Sequence, residues 1–453
     1  MEDNVNKGGE PESKFRSRQL LTALSPLLSI TKHTDAYWIT PGNIVLMIPS
    51  SCLSGVLMER IGRRKLLLIS FPLFIIGWLV MGFANSLLCL TIGRLICSVP
   101  AGLVSPLVPV YIGEISDPAF RGVLLSMISA TLAFGMLITN ALTVLMYWRG
   151  NAHICAAFSL IGWLTCLVCR ESPIWLMNRG QPEQAAKQWV HLRGLKSLDE
   201  YRAMERTAAR TGSEHGEDDG KSRFSRLVET SSSGHFLWSL AVLCMLTFAH
   251  QFAGFNAVSY LFSFAIMFAM DHRDLVLTNL ILITVIFIVS VVTCFMMTKY
   301  GRVTLAMVSS VGTICTLFLA SFFFLIEAQS YWLSKVSLLF YLIFQTIGLL
   351  PLFWMFVGEL FPRKLRGLGA GIATGFWLTC LFADLKTTTS LLLQLHAFEI
   401  LALYGIAASV WALLLYWKLP ETKDKTLLEI ETIFDKKSNE PDPADVEMVE
   451  QDT

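Results

Sequence analysis

The chain has 453 residues, of which 54% are hydrophobic and 16% charged, with a formal net charge of +1 and a mean hydropathy of +0.55. Soluble domains carry about 25% charged residues, so the composition excludes an ordinary soluble domain and points to an all-α polytopic membrane protein. Neither the net charge nor any basic face suggests a nucleic-acid partner.

Residues 1–18 are polar and charged, which excludes a secretory signal peptide and reads as a soluble tail. A spanning helix needs about 20 mostly apolar residues. Eleven runs qualify, at 36–58, 66–86, 87–112, 122–146, 151–169, 235–263, 274–297, 303–326, 331–357, 367–393 and 396–418. A weaker apolar stretch at 19–33, interrupted by Thr22, Ser25, Pro26 and Ser29, precedes them. Basic residues follow every second run: Arg60 to Lys65, Arg121, Arg170 to Arg193, Lys299 with Arg302, Arg363 to Arg366, and Lys418 to Lys425. Positive loops face the cytoplasm. A cytoplasmic N-terminus then requires the 19–33 stretch to cross as a shortened first helix, giving twelve spans.

The polar interruption 171–234 reads as a cytoplasmic linker with short helices at 182–193 and 198–210 and a solvated stretch from Gly212 to Lys221. It separates an N-terminal half, 19–170, from a C-terminal half, 235–418. A charged tail, 419–453, closes the chain and is also expected in the cytoplasm. The Cys166-x-x-Cys169 pair lies within an apolar run with no histidine cluster beside it, so it reads as two small apolar residues and not as a metal or redox site.

Three landmarks recur in order across the halves. Arg60-Ile61-Gly62-Arg63 returns as Lys299-Tyr300-Gly301-Arg302. Gly113-Glu114 with Arg121-Gly122 returns as Gly358-Glu359 with Arg366-Gly367. Glu171-Ser172-Pro173 returns loosely as Pro420-Glu421-Thr422. The offsets are 239, 245 and 250 residues, so the halves are parallel repeats. Ionisable groups at membrane depth cost several kcal/mol unless paired. Glu114 and Glu359, with Arg60, Arg63, Arg94, Arg121, Arg302 and Arg366, therefore read as a charge clamp that gates the cytoplasmic face.

These motifs occur with Pro109-x-Tyr111-x-Gly113-Glu114, Gln251-x-x-Gly254-x-Asn256-Ala257-Val258-x-Tyr260, Pro351-x-x-Trp354, Gly358-Glu359-Leu360-Phe361-Pro362 and Pro420-Glu421-Thr422-Lys423. Together they resemble the sugar porter family of the major facilitator superfamily. The stretch Arg18 to Ser25 is similar in style to the insect facilitated trehalose transporters. The resemblance implies two six-helix halves around a central cavity and facilitative transport of a sugar, trehalose or a hexose, at the plasma membrane. It implies that Gln251 and Asn256 bond sugar hydroxyls and that Trp354 and Trp377 offer ring faces. The residue chemistry agrees, since amides both donate and accept and indoles combine flat apolar area with one donor. Interhelical bonding is the alternative for the amides, a lipid-interface belt for the tryptophans.

Several family positions differ: His250, Ser129, Ile286 and Phe376 stand where polar partners are usual, and Glu59, Val303, Ile174 and Asp424 replace other family residues. Asp384 is an acid inside the 367–393 run, with pairing to Lys386 or a helix neighbour as the structural alternative. No acid stands at mid-depth in the N-terminal half, so uniport is expected over proton symport. No nucleophile–base or metal constellation suggests an enzyme. No cofactor is expected. The alternative function is a sugar sensor or vestigial paralogue that keeps the fold without transporting.

Overall fold

The computed structural model describes residues 33–194, 201–202, 205–206, 234–259, 272–326, 332–363, 365–423, 425, 427 and 429–430. The shortened first span at 19–32, the tails, the Gly212 to Lys221 linker, most of the helix expected at 198–210, and Tyr260 lie outside the described residues.

Each apolar run folds into a helix because the backbone has no other way to satisfy itself in an apolar medium. The N-terminal group is α1 (His33–Ile61), α2 (Arg63–Gly82), α3 (Leu87–Ile115), α4 (Pro118–Leu145) and α5 (Trp148–Val168). Two short helices follow, α6 (Pro173–Asn178) and α7 (Pro182–Arg193). The C-terminal group is α8 (Gly234–Gln251), α9 (His272–Lys299), α10 (Arg302–Ile326), α11 (Trp332–Ile347), α12 (Leu349–Glu359), α13 (Arg366–Gln394) and α14 (Ala397–Lys418). Among the described residues, eleven helices are long and apolar enough to cross a membrane, α11 and α12 counting as one span.

Local chemistry sets the boundaries. The Ser86 hydroxyl accepts from Cys89 N at 3.2 Å and starts α3. Pro118 stands in the first turn of α4, where its missing N–H costs nothing. Glu399 accepts from His396 N at 2.8 Å and completes a capping box on α14. The run expected as one helix at 331–357 is interrupted at Gly348, where a Cβ would stand 2.5 Å from the Ser309 Cβ of α10. The Ser309 hydroxyl accepts from Leu349 N at 3.2 Å and donates to Phe344 O at 2.7 Å, so the interruption leaves neither group unsatisfied.

The surface differs from that of a soluble protein. Large apolar side chains such as Leu88, Phe295 and Trp417 face outward, whereas Ser54, Ser309, Thr313 and Gln345 are buried. That surface fits a hydrocarbon surround, and helix association then depends on close packing and interhelical hydrogen bonds. The groups meet along two antiparallel seams, α1 against α13 and α4 against α9. On the first, Ser51 donates to Gly371 O at 3.0 Å, and a Cβ at Gly371 would stand 2.8 Å from Ser51 O. On the second, Asn279 donates to Asn140 Oδ1 at 3.1 Å.

Candidate functional site

The landmarks gather at one end of the bundle, where α1, α3, α9 and α12 finish and α2, α4, α10 and α13 begin. Arg63, with no exposed side-chain surface, forks onto Glu114 at 2.9 and 3.1 Å and onto Glu59 at 3.1 and 3.3 Å. Its remaining donor capacity goes to Met58 O at 3.1 Å. Glu114 is thus held by an arginine 51 residues earlier in the chain. Arg121 of the same motif reaches Lys425 O at 3.3 Å, in the C-terminal group. Glu359 accepts from Thr422 at 2.8 Å and lies in the field of Arg302, Arg121 and Arg366. Arg366 donates to Phe361 O at 3.2 Å.

The clamp also joins the two groups. Glu59 accepts from Gly367 N at 3.2 Å. A Cβ at Gly122 would meet the Arg302 guanidinium at 2.5 Å, and one at Gly113 would stand 2.6 Å from Gly358 O. The two Gly-Glu landmarks therefore touch backbone to backbone. The loosest landmark is structurally equivalent too. Glu171 accepts from Arg63 N and Arg64 N at 2.9 and 3.2 Å, and Glu421 accepts from Arg302 N and Val303 N at 3.0 and 3.1 Å. Each carboxylate sits at the positive N-terminus of the helix that follows Gly-Arg.

Two of the expected clamp residues stand outside its ion pairs. Arg60 has an exposed side chain, and its carbonyl accepts from Arg179. Arg94 stands on α3 twenty residues before Glu114, about 30 Å away along the helix. With the Asn43 amide oxygen turned toward it, its guanidinium donates at 3.0 and 3.2 Å. The sequence reading grouped Arg94 with the clamp; the direction of α3 puts it toward the opposite end.

The second cluster forms where α8 breaks. Gly254 takes φ 80°, and the chain resumes as helix at 255–259. The Tyr404 ring occupies the space a Cβ there would need, 2.7 Å away. Two donors from α11 satisfy carbonyls at the break: Gln345 donates to His250 O at 3.1 Å and Tyr341 to Ala253 O at 2.8 Å. Gly254→Ala should therefore cost about 1–2 kcal/mol of left-handed strain and also displace Tyr404. A lower melting temperature with reduced uptake is expected, and unchanged melting would show that the break is not built around this glycine.

Beside the break, His250 and Gln251 are 2% and 1% exposed, and among the described residues no hydrogen bond reaches any polar atom of either side chain. Trp354 Nε1 and the Thr374 and Ser129 hydroxyls are likewise buried without partners. A buried amide left unsatisfied costs about 1–3 kcal/mol. Phe353 lies 5.2 Å from Trp354 and 5.7 Å from Trp377 by ring centroids, and Trp354 and Trp377 are 5.4 Å apart. His250 is 6.4 Å from Trp377. Both tryptophans thus belong to an interior aromatic cluster. Asn256 is partly exposed and donates to Asp384 Oδ2 at 2.7 Å.

Sequence reasoning left Thr374, Tyr341 and Tyr404 out of the site. A hydroxyl recurring inside an otherwise aliphatic run was the only signal for them.

A family model described as "Sugar (and other) transporter" matches residues 28–434. The chain is 29% identical to the facilitated trehalose transporter Tret1 of Bombyx mori, covering 92% of this chain and 82% of that protein. It is 28% identical to Tret1 of Apis mellifera ligustica, covering 88% and 79%. Among solved structures, the proton:xylose symporter XylE bound to 6-bromo-6-deoxy-D-glucose superposes with a TM-score of 0.78 at 22% identity, covering 94% of each chain. The fold is that of the major facilitator superfamily.

Proposed function

Since the chain belongs to the sugar (and other) transporter family, we propose that it moves a sugar, trehalose or a hexose, down its gradient across the plasma membrane by alternating access. The halves are residues 19–170 and 235–418, joined by the 171–234 linker, with both termini and the charged end in the cytoplasm. The observation that carries this reading is the buried, unpartnered set of His250, Gln251, Trp354 Nε1 and Thr374 against aromatic faces. Polyols satisfy such groups while their C–H faces lie on indoles. The clamp closes one side while the site is loaded from the other, and rocking of the halves exchanges access.

The test is uptake of labelled trehalose and common hexoses into oocytes that carry the full chain at the surface. Saturable uptake that never exceeds the outside concentration is expected. Uptake no greater than in controls, with surface protein confirmed, would overturn the reading; sugar-dependent thermal protection without uptake would favour the sensor. Gln251→Ala should raise the half-saturating sugar concentration about three- to tenfold. Because the Gln251 amide has no partner among the described residues, the melting temperature should not fall. A lower melting temperature with unchanged half-saturation would reassign Gln251 to packing.

A further inference from the structure

Asp384 lies on α13 two turns beyond Trp377 and on the same face, with no exposed surface. Its partners come from three helical segments and all are neutral. Asn256 donates to Oδ2 at 2.7 Å, while Tyr404 and Thr388 donate to Oδ1 at 3.1 and 3.4 Å. Tyr404 is also the residue whose ring rests on Gly254. One closed set of contacts therefore fixes both where α8 breaks and how the amide two residues further is turned.

With Asp384 ionised, the chemistry leaves Asn256 one orientation. A carboxylate has no proton to give, so the amide must turn its NH2 toward Asp384. If Asp384 carries a proton on Oδ1, that hydroxyl can face Tyr404 or Thr388 while Oδ2 still accepts from Asn256, and the amide points the same way; only a proton on Oδ2 would reverse it. Asn256 Oδ1 then remains as an acceptor, and among the described residues nothing donates to it. Gln251, five residues back and with no such holder among the described residues, stays able to donate or accept.

We propose that Asp384 is a positioning residue that sets substrate specificity. By taking the Asn256 donor it commits Asn256 to act as an acceptor, so the site selects a substrate that offers a hydroxyl proton there. This inference rests on the sugar-transport reading above.

The test uses the full chain in oocytes and a series of analogues of the sugar taken up, each with one hydroxyl replaced by hydrogen or by fluorine. Fluorine accepts weakly and never donates. In the unaltered protein one ring position should exist where both replacements weaken competition by about tenfold. In Asp384→Asn the Asn256 amide is free to rotate. The fluoro analogue at that position should then improve relative to the deoxy analogue, by about threefold or more. Tyr404→Phe keeps the ring on Gly254, removes one donor to Asp384, and should shift the same ratio less. An unchanged fluoro-to-deoxy ratio in both variants, even with weaker uptake throughout, would overturn the proposal. If the unaltered chain takes up no sugar, the transport reading fails, and the positioning claim is then read from melting of the purified protein. Asn256→Ala and Asp384→Asn should be non-additive; additive shifts would show that Asp384 does not act through Asn256.

Discussion

Arg63→Ala is expected to be the most damaging single substitution at the charged end. Arg63 and Glu114 are both fully buried and share a two-point ion pair at 2.9 and 3.1 Å. Removing one member of a buried pair leaves an uncompensated charge and costs about 3–5 kcal/mol. Here the loss is compounded, because Glu59 and Glu114 both lean on the same guanidinium and would face each other without it. The protein should reach the surface poorly and melt several degrees lower in detergent. Glu114→Gln should cost less, since the amide oxygen can still accept and Arg63 keeps Glu59. Arg63→Lys should recover little, because an ammonium cannot reproduce the fork. The double variant Arg63→Met/Glu114→Met separates stability from gating. It should restore much of the melting temperature, as apolar replacement of a buried pair often does, yet leave the cycle altered because the clamp is gone. Near-normal melting of Arg63→Ala would mean that the pair contributes nothing to the folded protein.

That clamp shows what a linear sequence reveals. The spans, their order and the doubled landmarks were legible, because apolar length and charge punctuation are properties of a segment by itself. The partners were not. Glu114 was read with Arg121 seven residues on, but its ligand is Arg63 on another helix. Glu59 bonds Gly367, 308 residues away. Such choices depend on how each helix is rotated and how deeply it is set against its neighbours, which hydropathy does not encode. Helix direction was the missing step for Arg94, since a run that ends at the clamp must begin at the opposite end. At the site, Gln251 and Gly254 were legible through their spacing. For Asp384 a bond to a helix neighbour was legible as the alternative, and Thr388 four residues on makes one; Asn256 of the broken segment, 128 residues away, was not. The closed contact between Gly113 and Gly358 was legible only as a repeated residue type, and it has the clearest consequence for the cycle.

Gly358→Val should hold the charged end ajar. A Cβ at Gly358 would stand 2.6 Å from Pro109 O and 3.0 Å from Leu125 Cδ2. The first of these is backbone in a proline-rich stretch of α3, so it cannot swing aside as a flexible side chain would. Overpacking of this kind costs about 1–3 kcal/mol, and the cost falls only on the closed arrangement, since rocking of the halves separates the two glycines. A bias of that size changes the ratio of closed to open forms about 5- to 150-fold. The readout is a reporter cysteine at Thr374, which is buried in the closed form and stands about 12 Å along α13 from Arg366. In membranes exposed at the charged end, a water-soluble maleimide should modify Thr374→Cys faster when Gly358→Val is present. Counting the adduct at that residue by mass spectrometry separates it from the native thiols. The increase should fall within the same 5- to 150-fold range. Equal labelling with a lowered melting temperature would make the glycine contact a packing feature and remove it from the gate.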